Sequence, residues 1–227
     1  MSGCGYSYER MFAFSPPRPP VPTDLAAKIR PTLLARSRTL GLEGPWSGVI
    51  PGGRLRRGTT IAVHAESAQG GVSVALSLAA AATAEGLWAG VVGVRDPGVV
   101  AMVDLGLDLR RVLFVPSPAA AWAESAADLL EGVDVLVVQP PLNPSSTLAR
   151  RLSSRVRERG VVLIVVTRQF VWPAPVEVGL RVEGSQWETS SRLVSRVLRL
   201  NVSTRERAGT SCHELVLPDP HGRVASR

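Results

Sequence analysis

From Thr60 onward the hydrophobic positions switch repeatedly between the period of a strand and that of a helix. Such switching marks βαβ units around a mainly parallel sheet. Short, nearly all-apolar runs at Thr60–His64, Trp88–Val94, Val112–Val115, Val133–Val138 and Val161–Thr167 predict strands, because strands covered on both faces lose the polar alternation of half-exposed ones. Helices are predicted between them, near Val72–Glu85, Gly98–Leu105, Ala119–Leu130 and Ser145–Arg159. Beyond Phe170 the pattern changes. Val176–Val182 and Val194–Ser203 alternate, Gly209 marks a turn and His213–Leu217 a return strand, which predicts an antiparallel extension at the sheet edge.

The beginning of the chain follows other rules. Residues 1–22 contain Ser15-Pro16-Pro17-Arg18-Pro19-Pro20, and repeated proline removes donors and blocks helix, so a disordered or extended arm is expected. Thr23 is placed to cap a helix in which Leu25, Ile29, Leu33, Leu34 and Leu40 recur at helical spacing and Gly41 is the stop, with Pro31 as a kink. The expected organisation is an arm (1–22), a helical segment (23–43), a core (44–217) and a flexible tail (218–227).

Composition narrows the class. A chain of 227 residues with 45% hydrophobic content can bury one sizeable core. Its apolar runs are far shorter than the ~20 residues of a membrane helix, and no leader pattern opens it, so a cytoplasmic location and no membrane contact are expected. Cys4 and Cys212 show no disulfide or zinc spacing. The formal charge of +7 would draw nucleic acid or an acidic protein surface. Lys28, however, is the only lysine among 26 basic residues, and an arginine bias of this kind can also come from the coding composition of a genome.

The loop after the first core strand stands where a phosphate loop would. That device needs Gly-x-x-x-x-Gly-Lys-Ser/Thr: glycines admit backbone N–H groups to phosphate, lysine reaches the outer phosphates and the hydroxyl holds magnesium. Here Ala65-Glu66-Ser67-Ala68-Gln69-Gly70-Gly71-Val72 has alanine for the first glycine, Gly71 for lysine and Val72 for the hydroxyl residue; only Gly70 survives. A shift by one brings Ser73 to the hydroxyl position but puts Val72 where lysine belongs. The apolar run Val133–Val138, which would end in a metal-binding carboxylate, ends at Gln139. No cofactor, no metal and no catalytic residue are expected. An Ala/Gly-rich turn in some other doubly wound fold fits these losses equally.

The surroundings resemble the RecA family. Gly52-Gly53-Arg54-Leu55-Arg56-Arg57-Gly58 is similar to that family's Gly-Gly-Leu-Pro-x-Gly lead-in, and Ala65-Glu66-Ser67 resembles its Pro-Glu-Ser, displaced by one position. Leu78–Gly86 looks like the helix that follows, and Asp96-Pro97, Leu105–Asp108 and Val112-Leu113 resemble the stretch joining its second and third core strands. The likeness spans about Leu40 to Leu217, and it implies a RecA-like α/β core of the P-loop type, with a mainly parallel central sheet and a C-terminal antiparallel extension. A chain of this size, arginine-rich and without the nucleotide groups, is similar to the ImuA-type proteins of actinobacteria. That resemblance implies a non-catalytic accessory or scaffold in damage-induced mutagenesis, partnered by an ImuB-type Y-family-like protein and a DnaE-type error-prone polymerase. The alternatives are a SulA-like inhibitor of a tubulin-like division protein and an ATPase with an unorthodox site.

Other residues have two readings each. Arg54, Arg56 and Arg57 on the Gly-rich loop either contact phosphates or form a solvated loop. Arg192, Arg196, Arg199, Arg205 and Arg207 cluster around the late strand, where alternation builds either a basic stripe for DNA or an acidic partner, or an ordinary solvated face. His64 is read as structural, and Trp172 and Trp187 as caps of the core.

Overall fold

In the computed structural model, residues 39–66, 69–116, 121–141, 143–168, 171–190, 193–206 and 209–227 are described. They begin with a small hairpin-like pair, β1 (Thr39–Gly41) lying antiparallel to β2 (Arg54–Arg56), with Leu40 opposite Leu55. This corrects the helix expected through Leu40 to Gly41. Both leucines are buried, and strand pairing satisfies the backbone while placing Leu40 against Leu55. The rest of that predicted helix, and the arm before it, lie outside the described residues. Between the two strands sits a single turn, α1 (Trp46–Val49), whose Trp46 donates its indole N–H to Ser77 Oγ at 3.1 Å.

The alternating core follows as predicted. β3 (Thr60–His64), β4 (Ala89–Val92), β5 (Val112–Val115), β6 (Val135–Val138) and β7 (Val162–Thr167) alternate with α2 (Gly71–Ala84), α3 (Val99–Asp104), α4 (Trp122–Leu129) and α5 (Ser146–Arg159). β4, β6 and β7 are buried at every position, which is why they read as apolar runs, broken only by Thr167 at the end of β7. α2 is apolar on nearly all sides and buried along most of its length. α5 is the opposite case. It buries only Ala149, Leu152, Ser153 and Val156, at three- and four-residue intervals, is capped by Ser145 Oγ accepting from the Leu148 N–H at 3.2 Å, and stops at left-handed Gly160.

The late strands are longer than the alternation predicts: β8 (Val178–Thr189), β9 (Leu193–Thr204), β10 (Thr210–Val216) and a short β11 (Ala225–Ser226). The nine-stranded sheet runs β11-β10-β9-β8-β3-β7-β6-β4-β5, parallel from β8 to β5 and antiparallel from β8 to β11. The segment after Pro218, expected to be a flexible tail, instead makes a turn in which Asp219 Oδ1 accepts from the N–H groups of His221 and Arg223, both at 2.8 Å. It then returns as β11 beside Leu215 and Val216, with Val224 packed on the core.

Two hydrophobic cores flank the sheet. One holds α1, α2 and Met102 of α3 against Ile61, Val63, Ile164, Leu198 and Leu200; the other holds α4 and α5 against Leu136, Val138, Leu163 and Val165. Each such fully buried side chain contributes about 1.5–3 kcal/mol relative to exposure. On the second face α4 and α5 reach β4, β6 and β7, while β8 to β10 turn Arg181, Glu183, Arg199 and Ser203 to solvent. Among the described residues no helix is long and apolar enough to cross a membrane.

Candidate functional site

The C-terminal ends of β3, β6 and β7 frame a cleft of about 300 Å3 at the start of α2, lined by the degenerate loop, Arg95, Gln139, Arg168 and Arg196. The loop is held at its root by the Ala65 N–H donating to Thr167 O at 3.1 Å. It is closed by Gln69, whose Oε1 accepts from the Glu66 N–H at 3.2 Å. Ser67 lies outside the described residues. Gly70 takes a left-handed conformation at φ +93°, which a glycine tolerates at no steric cost. Gly71 opens α2 against the floor of the cleft, where an added Cβ would lie 2.8 Å from Ala65 Cβ and 3.4 Å from Val166 Cγ1. The position that lysine holds in a phosphate loop is therefore one where this backbone has no room for a side chain.

Arg196 of β9 fills the space above the loop. It is 5% exposed. Its Nε donates to Leu217 O at 2.9 Å and its Nη2 to Ser73 Oγ at 3.1 Å, while the guanidinium stacks on the cross-strand Trp187 with 4.9 Å to the ring centroid. A Cβ at Gly70 would meet the guanidinium carbon at 2.6 Å, so the group lies directly on the loop backbone. Burial pushes the guanidinium below its usual pKa, although arginine keeps its proton in proteins. Of the arginines read as a basic stripe, Arg196 is corrected here: it is an internal strut. Strand parity shows it in retrospect, since Arg196 shares its face with the buried Leu198, Leu200 and Val202.

Gln139 ends β6 beside the same cleft, 8% exposed. With its carboxamide oxygen turned to Arg168, it accepts from Nη2 at 3.1 Å and Nε at 3.2 Å. A neutral amide tied to a guanidinium thus stands where a metal-binding carboxylate would be. Among the described residues no group of three His, Cys, Asp or Glu side chains is placed to hold a metal ion. Ser73, the one hydroxyl among the described residues that line the cleft, accepts from Arg196. His64 is bonded through Nδ1 to Thr167 Oγ1 at 3.2 Å.

The arginines singled out from the sequence divide. Arg54 is exposed at the start of β2. Arg56 pairs with Glu177 at 3.1 Å and Glu206 at 3.4 Å, Arg57 with Asp134 at 2.9 Å, and Arg199 with Glu214 at 3.3 Å. Arg205 is exposed at the end of β9, and its N–H donates to Glu177 O at 3.1 Å, so Glu177 joins the early basic loop to the late strand. Arg192 and Arg207 lie outside the described residues. Trp172 is buried in the second core, edge-on to Trp122 at 6.5 Å, whereas Trp187 stays 38% exposed beneath Arg196.

This architecture is RecA-like. The chain is similar to a KaiC-like protein from the hyperthermophilic archaeon Pyrococcus horikoshii OT3, with a TM-score of 0.56 and 16% identity over 84% of this chain and 98% of that one. Residues 48–174, from the lead-in loop through the second core's Trp172, match the family described as MT3502 N-terminal domain, and the chain belongs to that family. It is also 36% identical over 97 residues to the uncharacterized protein Rv3395c of Mycobacterium tuberculosis. That match takes in 42% of this chain and 48% of the relative, so it spans about half the relative's length.

Proposed function

We propose that this protein is a non-catalytic RecA-like accessory factor of damage-induced mutagenesis, working with an ImuB-type Y-family-like protein and a DnaE-type polymerase. One observation carries the non-catalytic part: the phosphate loop is covered by the chain's own Arg196, and Gly71 has no room for the lysine that nucleotide chemistry requires. A RecA-like fold whose loop at this place is taken up by an internal contact suits a scaffold. The named companions rest on the sequence resemblance to ImuA-type proteins.

Affinity purification of the tagged full chain from damaged and undamaged cells tests the reading. It predicts recovery of the Y-family-like and DnaE-type proteins, more after damage. Recovery of a tubulin-like division protein in their place would overturn it.

Two solution properties follow. Magnesium-ATP should leave the melting temperature unchanged, because a ligand stabilises by mass action only when it binds the native state. A saturable rise would contradict the assignment. Any DNA affinity should be sequence-independent and fall steeply with salt, since what the described residues offer to phosphate is exposed arginines, among them Arg54, Arg205 and the α5 row Arg150, Arg151, Arg155 and Arg157. Binding that survives high salt would show a dedicated site.

A further inference from the structure

A cavity lies on the side of the sheet away from α2, where α4 and α5 stop short and leave β8 to β10 uncovered. It measures about 550 Å3, within the range of built ligand sites. One wall is apolar, made by Val171, Trp172 and Val176 ahead of β8, and Val171 is 76% exposed there. The floor is low and polar, with Gly179, Asn201 and Ser203 on neighbouring strands in register. Arg181 and Arg205 stand along it, both exposed, and neither has an acidic partner among the described residues. Of the two glutamates in the lining, Glu177 is paired with Arg56 at 3.1 Å, while Glu183 accepts from the neutral Asn201 amide at 2.9 Å and keeps its charge, so two free guanidinium groups stand against one free carboxylate.

We infer that this groove docks an acidic, apolar segment of a partner protein. Charge selects the sign of the occupant, because two unpaired guanidinium groups favour carboxylates and disfavour a basic chain. The Val171–Val176 wall selects apolar side chains on the same segment, and the small residues of the floor let an extended backbone approach the sheet. Single-stranded nucleic acid fits less well, since it is held by bases stacking on exposed aromatic rings, and Trp172, the one Phe, Tyr or Trp among the described lining residues, is 3% exposed. A second copy of this chain, formally at +7, lacks the complementary charge.

The inference rests on reading the chain as a partner-binding protein, and its test needs no named partner. The full chain is used to select from a random peptide library, and enriched peptides are measured by fluorescence anisotropy. The wild type is compared with the Arg181→Glu/Arg205→Glu variant and with a control, Arg150→Glu/Arg155→Glu, on the exposed side of α5. All four arginines are exposed, so circular dichroism and melting should match the wild type. Enriched peptides should combine Asp or Glu with Leu, Ile or Phe; the groove variant should bind them at least about tenfold more weakly and the control within about twofold. Enrichment of basic peptides, no enrichment at all, undiminished binding by the groove variant, or displacement of the peptides by oligothymidine at physiological salt would each overturn it. If the groove variant still recovered the Y-family-like and DnaE-type proteins from cells, the groove would fail while the proposed function stood. If neither protein was recovered by the wild type but acidic peptides bound the groove, the reverse would hold.

Discussion

Replacing Arg196 with alanine should destabilise the protein by roughly 2–4 kcal/mol. The substitution leaves the carbonyl of buried Leu217 and the half-buried Ser73 hydroxyl without their donor, and it removes the cation that lies over Trp187. Urea unfolding should show a lower midpoint with an unchanged slope, the signature of altered stability without altered compactness. Lysine at this position should recover only part of the loss. Its single ammonium lacks the planar fork that reaches Leu217 and Ser73 together while stacking on the indole. An alanine variant within about half a kcal/mol of the wild type, the usual range for surface changes, would show that the guanidinium is not the strut described above.

Restoring the missing lysine should fail in a specific way. Gly71→Lys is expected to cost roughly 1–3 kcal/mol by overpacking, because its Cβ would press on Ala65 and Val166 and the start of α2 would have to move. Melting should occur at a lower temperature, and magnesium-ATP should not raise it. Adding Gln139→Asp should not rescue binding, since the new carboxylate would face Arg168 and be drawn to that guanidinium. A saturable stabilisation of either variant by the nucleotide would mean that the loop keeps a phosphate-binding geometry after all.

The chain announces its core plainly and its site only in part. Strands such as Val135–Val138, and Val162–Thr167 up to its last residue, are apolar throughout because both faces are covered, and that pattern needs no tertiary knowledge to read. Leu40 misled because one leucine at helical spacing looks the same whether it continues a helix or pairs across to Leu55, and only the partner strand decides. The losses at Gly71, Val72 and Gln139 were visible as letters. The group that took over the space was not, because Arg196 comes from a strand 123 residues beyond Ser73. Strand parity pointed it inward, yet an arginine counts as a surface residue unless a buried carbonyl is known to wait for it. The open groove was harder still. Its wall and floor come from segments that meet only when β8 lies beside β3, and the ion pairs that leave Arg181 and Arg205 unmatched are invisible in sequence.

The position of β3 also bears on how the molecule comes into being. β3 lies between β7 and β8, and its His64 meets a Thr167 hydroxyl 103 residues further along the chain. During synthesis the first core strand emerges with both of its neighbours still unmade, so its two rows of backbone groups stay open until nearly the whole parallel layer has left the ribosome. Closing loops of that length precedes the contacts that reward it, which places this chain among the slower folders for its size. Shortened chains ending anywhere before β7 would expose β3 as a bare apolar strand, and they should collect in aggregates instead of forming a smaller domain.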